Sequence, residues 1–245
     1  RIAGIIAALA VSIIILTSPS SPPPIPEPLK DNMQNQFIEI LATNLEKPWS
    51  IDFADERIFI SEKGGTIRVI DSGQLLDEPL VTLRTADVFD GGLLGITVHP
   101  NFSQNHMLYA YYTYNEQGEL WNKVIQIKES NNKIVEAKTI LDKIPGSSFS
   151  NGGIIKFGPD SKLYIGTGSV SDFSHESQDL QSLEGKILRL NDDGSIPDDN
   201  PFDDSPVYSY GHRNPKGMTW DSSENFYMTE HGPTKNDEIN LIIAG

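Results

Sequence analysis

From residue 37 onward the apolar positions fall in short runs separated by polar turns, and no stretch carries a helical period. The runs recur in sets. Each set opens on a short apolar strand: Trp49 to Phe53, Leu94 to Val98, Ile154 to Phe157 and Met218 to Trp220. A polar turn follows, then an aromatic-rich second strand: Ile58 to Ile60, Leu108 to Tyr112, Leu163 to Ile165 and Phe226 to Met228. The third strand alternates apolar and polar residues, as a half-buried strand does: Thr66 to Ile70, Lys123 to Ile127, Lys186 to Leu190 and Glu238 to Leu241. Fourth strands are predicted at Leu80 to Leu83, Lys138 to Leu141 and Val207 to Tyr210, and the last set has none.

Four-stranded units repeating every ~40–60 residues predict an all-β fold, a β-propeller of four-stranded blades. A sandwich of unrelated hairpins is the alternative. The sequence stops at Gly245, after the third strand of its fourth unit. An unclosed ring leaves a sheet edge unpaired, so residues 37–245 are expected to be an incomplete propeller and the sequence a fragment. It also opens on Arg1, which places the expected start upstream.

The repeat sorts the loops. In an antiparallel blade the loops between strands 4 and 1 and between 2 and 3 share one end. Asp90-Gly91-Gly92, Ser150 to Gly153 and His212 to Pro215 are loops of the first kind. Glu62 to Gly65, Ser169 to Gly185 and Glu230 to Asp237 are of the second. The unusual residues of the chain therefore share one rim, while the opposite end carries ordinary polar turns.

Ahead of the propeller, Ile2 to Leu16 is almost unbroken apolar sequence, followed by Thr17-Ser18-Pro19 and Pro22-Pro23-Pro24. The run is short for a spanning helix, which needs ~20 apolar residues. Residues 1–16 read as a secretory signal or, if uncleaved, a membrane anchor, and 17–36 as a stiff Pro-rich linker. An extracytoplasmic location follows, secreted or held on the outer face.

Composition narrows the chemistry. With 34 Asp+Glu against 19 Lys+Arg the formal charge is −15, which excludes a nucleic-acid backbone as partner. No cysteine is present, which excludes disulfides, thiolate metal sites and cysteine nucleophiles. Arg213, inside Gly211-His212-Arg213-Asn214-Pro215, is the strongest single candidate, because a fixed guanidinium at a propeller mouth suits an anionic, carboxylate-rich ligand. Gly232-Pro233 leaves two successive carbonyls without regular partners, which a hard cation such as Ca²⁺ takes readily; a plain turn explains them too. The pairs Gly91-Gly92 and Gly152-Gly153 allow close backbone approach to a ligand or simply tight turns. The acidic run Asn191 to Asp204 lacks EF-hand spacing and reads as a solvated loop. His99 and His106 read as structural, and His175 stays open.

Several of these elements resemble the soluble PQQ-dependent aldose sugar dehydrogenases of the glucose/sorbosone dehydrogenase family. The likeness runs in order from about Leu45 to the end: Gly92-Leu93-Leu94-Gly95, Phe157-Gly158-Pro159-Asp160, Leu183 to Leu190, Asp193 to Pro197, Asn200-Pro201-Phe202, Gly211 to Pro215, and Glu230-His231-Gly232-Pro233 through Asn240. It implies a six-bladed propeller, of which about four blades are present. It implies oxidation of the anomeric carbon of an aldose, with hydride transfer to PQQ, Ca²⁺ assistance and an external electron acceptor. Arg213, Asn214 and Asp90 become expected cofactor contacts, with Arg213 also catalytic, and the Gly232 and Pro233 carbonyls expected Ca²⁺ ligands. The family's base is a histidine just before an Asn-Gly-Gly or similar turn, and here that position is Ser150. Two further positions depart from the pattern: Ile154, where an arginine is common, and Ser169, where an aspartate is usual.

Three readings follow: a dehydrogenase using another base such as Asp90 or His212, a propeller that kept the fold as a binding or adhesion module, and a Ca²⁺-dependent lactone or ester hydrolase. Ser150 favours the second. The retained Arg213-Asn214 and Gly232-Pro233 favour the first, and the absence of an acidic cage in the sequence weighs against the third.

Overall fold

A computed structural model describes residues 38–170 and 175–245; the apolar segment 1–16 and the linker 17–36 lie outside the described residues. The fold is that of the compact unit Ile40–Gly245. Its first sheet holds β1 (Pro48–Ala54), β2 (Arg57–Glu62), β3 (Thr66–Asp71), β4 (Gln74–Leu75) and β5 (Val81–Thr82). The second holds β6 (Leu93–Val98), β7 (Met107–Glu116), β8 (Glu119–Ser130) and β9 (Lys133–Pro145), with the short helix α1 (Phe102–Asn105) after β6. The third holds β10 (Gly152–Phe157), β11 (Leu163–Thr167), β12 (Lys186–Leu190) and β13 (Val207–Tyr210), with α2 (His175–Gln178) before β12. The fourth holds β14 (Pro215–Trp220), β15 (Phe226–Glu230) and β16 (Glu238–Ile242).

Within each sheet, strands that are neighbours in sequence pair in space, except β5, which pairs with β3 and not β4, and every pair is antiparallel. The first strands β1, β6, β10 and β14 of successive sheets lie side by side. This is the propeller-like arrangement that the repeat predicted. The fourth strand of the first blade, expected over Leu80 to Leu83, is split. Both β4 and β5 pair with β3, and between them lies Pro79, which has no N–H to give to a ladder.

Each pair of successive blades closes over its own core. Phe59, Ile67 and Val69 of the first blade meet Leu93, Ile96 and Leu108 of the second. Tyr111, Val124 and Ile144 pack with Ile155, Ile165 and Leu188. Tyr164 and Ile187 pack with Met218, Phe226 and Met228. This layering corrects one sequence expectation. β12 is buried along its whole length instead of alternating, because another blade covers each of its faces.

Its polar residues are therefore buried with partners. Lys186 donates from Nζ to the carbonyls of Glu176 (2.8 Å), Ser177 (3.0 Å) and Glu184 (2.5 Å), and burial pushes its pKa down to about 8. Arg189 binds Asp160 (2.9 Å) and Asp199 (2.8 Å). The acidic run Asn191 to Asp204 is thus tied to the blade, with Asn200 also accepting from Arg189 at 2.9 Å.

The inner strands approach so closely that side chains are excluded. A Cβ on Gly95 would lie 2.2 Å from the Gly153 carbonyl oxygen, and one on Gly153 would lie 2.6 Å from Leu94. Gly152 and Gly153 also hold φ of 65° and 101°. Gly153 meets Leu94 of the neighbouring blade and Gly92 the Lys63 carbonyl, while Gly152 abuts the Gly166 carbonyl of its own blade, so packing against backbone accounts for these glycines.

Candidate functional site

The expected rim carries a cavity of about 500 Å³ walled by Trp49, Phe89, Asp90, Phe149, Ser150, Arg213, Asn214, Lys216, His231 and Gly232. Its size is ordinary for a small-molecule site. Every wall residue but Trp49 and Lys216, which lie in β1 and β14, comes from the loops that the repeat brings to one end.

Asn151 organises the first half of this wall. Its side-chain amide is fully buried and donates to the carbonyls of Asp90 (2.8 Å) and Ser147 (2.7 Å), while its Oδ1 accepts from Asn122 (3.1 Å) and the Ser147 N–H (3.0 Å). Its own N–H donates to Asp90 Oδ2 at 3.2 Å. Asp90 is thereby aimed into the cavity beside Ser150, which holds a left-handed φ of 57°.

Opposite, Glu230 anchors the loop that bears Arg213. It accepts from the N–H groups of Arg213 and Asn214 and from His212 Nδ1. Burial acts to raise its pKa, but the His212 contact and the two backbone donors outweigh it and hold the carboxyl below its usual range. The Arg213 guanidinium then spans to the next loop, where Nη1 donates to the carbonyls of His231 (2.9 Å) and Gly232 (2.8 Å).

Lys216 joins the two halves. Its Nζ lies 3.1 Å and 3.2 Å from the carboxylate oxygens of Asp90 and 3.3 Å from the Gly152 carbonyl. Burial pushes its pKa down, against the opposing pull of Asp90. Asn214 bridges the same loops, accepting from the Gly152 N–H at 3.0 Å and reaching Asp90 Oδ2 at 3.5 Å.

The structure thus brings Asp90, Ser150, Arg213, Asn214 and Gly232 together on one wall, and leaves Pro233 outside it. Three sequence expectations change. The Gly232 carbonyl is not unpartnered, because the Arg213 guanidinium sits on it. Asn214 spends its amide between rim loops, so it positions them as well as facing the cavity. His212 is buried between Ser209 (3.0 Å) and Glu230 (3.2 Å) and does not reach the cavity, which removes it as a base.

Lys216, Trp49, Phe89 and Phe149 were not singled out by the sequence. The only signal was an aromatic residue directly before each of two rim turns, Phe89 before Asp90 and Phe149 before Ser150. For Lys216 there was none, since its partner lies 126 residues away.

Residues 45–245 match the sequence profile of Glucose / Sorbosone dehydrogenase. The chain belongs to the glucose/sorbosone dehydrogenase family. It is 32% identical to the Aldose sugar dehydrogenase YliI of Escherichia coli K12, over 85% of this chain and 60% of that protein. It is 29% identical to Quinoprotein glucose dehydrogenase B of Acinetobacter calcoaceticus, over 96% of this chain and 57% of that one. The solved PQQ-bound Aldose Sugar Dehydrogenase of Streptomyces coelicolor is 36% identical and superposes with a TM-score of 0.77, over 85% of this chain and 63% of that one. The chain therefore spans less than two thirds of the length of these family members.

The wall can be tested against the family's cofactor. Arg213 and Lys216 put two cations on the cavity of a chain whose formal charge is −15, and among the described residues only Nη1 of the guanidinium is engaged. Such a wall fits a planar group bearing several carboxylates. For Ca²⁺ the wall offers less. Gly232 alone of the two expected carbonyls faces the cavity, and Ca²⁺ takes ~6–8 oxygens. Among the described residues no cluster of three acidic or histidine side chains supplies the rest.

Proposed function

We propose that the protein oxidises the anomeric carbon of aldose sugars with PQQ as hydride acceptor, assisted by Ca²⁺ and reoxidised by an external acceptor. The observation that carries this reading is the Arg213 guanidinium, locked on the His231 and Gly232 carbonyls and facing Asp90 across one cavity. PQQ, when bound, supplies a two-electron acceptor for the hydride of the sugar's C1. Arg213, with Lys216 beside it, would hold the anionic cofactor and offset negative charge that develops on it, as preorganised cations do. Ca²⁺ assistance comes from the family likeness alone: on this wall the ion would find only the Gly232 carbonyl, to which the Arg213 guanidinium already donates.

Asp90 takes the proton from the anomeric hydroxyl in this reading. It is the carboxylate on the wall, and Asn151 and Lys216 fix its direction. Ser150 stands where the family places its histidine, and an unassisted hydroxyl is no base near neutral pH. Loss of C1–H as hydride and O–H as proton leaves the lactone. The apolar run of residues 2–16 supports export, with sugar oxidation outside the cytoplasm.

Ser150 also supports a second reading, a propeller that binds the cofactor or a sugar without turnover. Reconstitution with PQQ and Ca²⁺ separates the two. Aldose-dependent dye reduction supports the enzyme. A cofactor absorbance change without dye reduction supports the binding module, and neither signal would sink both.

A further inference from the structure

Asn101-Phe102-Ser103 is the single Asn-x-Ser/Thr triplet of the sequence, and its middle residue is not proline. That is the acceptor pattern for an N-linked glycan, which is bulky and needs a position open to water. The triplet lies between β6 and β7, on the turn at the end of the blade away from the cavity. Asn101 and Ser103 are exposed, and Phe102 between them is buried.

The turn holds together without the asparagine side chain. The Asn101 N–H donates to His99 Nδ1 at 2.9 Å, and its carbonyl accepts from the N–H groups of Gln104 (3.0 Å) and Asn105 (3.1 Å). Phe102 plugs into the core of the first two blades, its ring edge-on to Phe59 with centroids 5.3 Å apart. Asn105, by contrast, does use its side chain, whose Oδ1 accepts from the Met107 N–H at 3.0 Å. The Asn101 side chain opens α1 without a hydrogen bond to it. Asparagine is favoured at such a position for that bond, so its presence here is unexplained by the fold. A sugar on its amide nitrogen would break no native contact, would stand in water, and would leave the rim at the opposite end clear.

We propose that Asn101 is an N-glycosylation site, modified as the chain is exported. This rests on the export reading above. The donor is an oligosaccharide joined through its C1 to a lipid phosphate. The Asn101 amide nitrogen forms the new bond to C1 and gives up one proton. The bond from C1 to the phosphate oxygen breaks, and the lipid phosphate leaves with the electron pair. No atom changes oxidation state, and the glycan takes no part in sugar oxidation.

The test is mass analysis of the chain from the exported and cytoplasmic fractions of its native cells. The tryptic peptide 85–123 contains the acceptor triplet, so the glycan adds its whole mass there. Exported chain should carry that excess and release sugar fragment ions. Asn101→Gln should lose it. Ser103→Ala should lose it as well, although the asparagine is still present, and Ser103→Thr should keep it. Exported chain with a bare peptide overturns the glycan and leaves export standing. Chain confined to the cytoplasm with a bare peptide overturns both. Excess mass that survives Asn101→Gln overturns the assignment to Asn101.

Discussion

Lys216 lies across the rim from Asp90, with its ammonium 3.1 Å and 3.2 Å from the two carboxylate oxygens. The pair joins the Asp90 loop to β14 of a different blade and is mostly shielded from solvent, with side-chain exposures of 21% for Lys216 and 16% for Asp90. It fixes both charges against the cavity at the point where a sugar hydroxyl would give up its proton. Asp90→Asn keeps the shape and removes the acceptor, so kcat should fall by ~10²–10⁴ with the unfolding midpoint nearly unchanged. Lys216→Met leaves the carboxylate unpaired and should cost roughly 1–3 kcal/mol in urea unfolding. Unchanged turnover in Asp90→Asn would remove Asp90 as the proton acceptor.

Ser150 offers the complementary experiment. Its left-handed φ of 57° is one that histidine tolerates better than branched residues do. Ser150→His should therefore fold normally and place an imidazole on the cavity wall. Its kcat is expected to rise at least about tenfold near neutral pH, where imidazole is a competent base. Steady-state dye reduction across pH 5 to 9 checks this, and a flat response would show that Ser150 does not limit the chemistry.

Glu230 links acid sensitivity to cofactor affinity. Its carboxyl is depressed in the folded state, so its stabilisation is present above the unfolded value of 4.5 and is lost as pH falls below it. The Arg213 loop should loosen first in that window. Glu230→Gln should weaken PQQ binding by about tenfold at pH 7, read as a cofactor titration, because Arg213 and Asn214 lose a charged acceptor for their N–H groups.

Lys186 predicts an unusual alkaline gain. Its folded-state pKa of about 8 lies below the ordinary 10.5 because of burial, so below pH 8 both states are protonated and the folded state carries the desolvation penalty in full. Between about pH 8 and 10 the unfolded chain keeps a proton that the folded chain sheds, and stability rises. Above pH 10 the tyrosines reverse the trend, since burial lifts Tyr109 to about 12 and the unfolded chain ionises first. Urea midpoints should therefore peak near pH 9–10, with a gain on the order of 1–3 kcal/mol from Lys186. Lys186→Met should shrink the rise, leaving the share that Lys216, also depressed by burial, contributes.

The blades were legible because each strand carries its own local signal of apolar residues, aromatic residues and polar turns. The same strand order assigned the rim, since alternating chain direction fixes which loops share an end. The third strands were read only in part. Alternation in Lys186 to Leu190 suggests one wet face, but a covering blade buries Lys186 and Arg189, and the segments on either side of the strand fold back to supply their carbonyl and carboxylate partners.

By itself the sequence determined the propeller class, the rim and the likeness carried by Arg213, Asn214 and Gly232, since short-range pattern and motif encode them. Only the tertiary structure decided that His212 is consumed by Ser209 and Glu230, that Arg213 sits on the Gly232 carbonyl, that Lys216 faces Asp90, and that two phenylalanines are held open to solvent. Apart from Ser209–His212, those contacts join residues of separate loops and strands, and their energies depend on distance and burial across the rim, which no local pattern along the chain records.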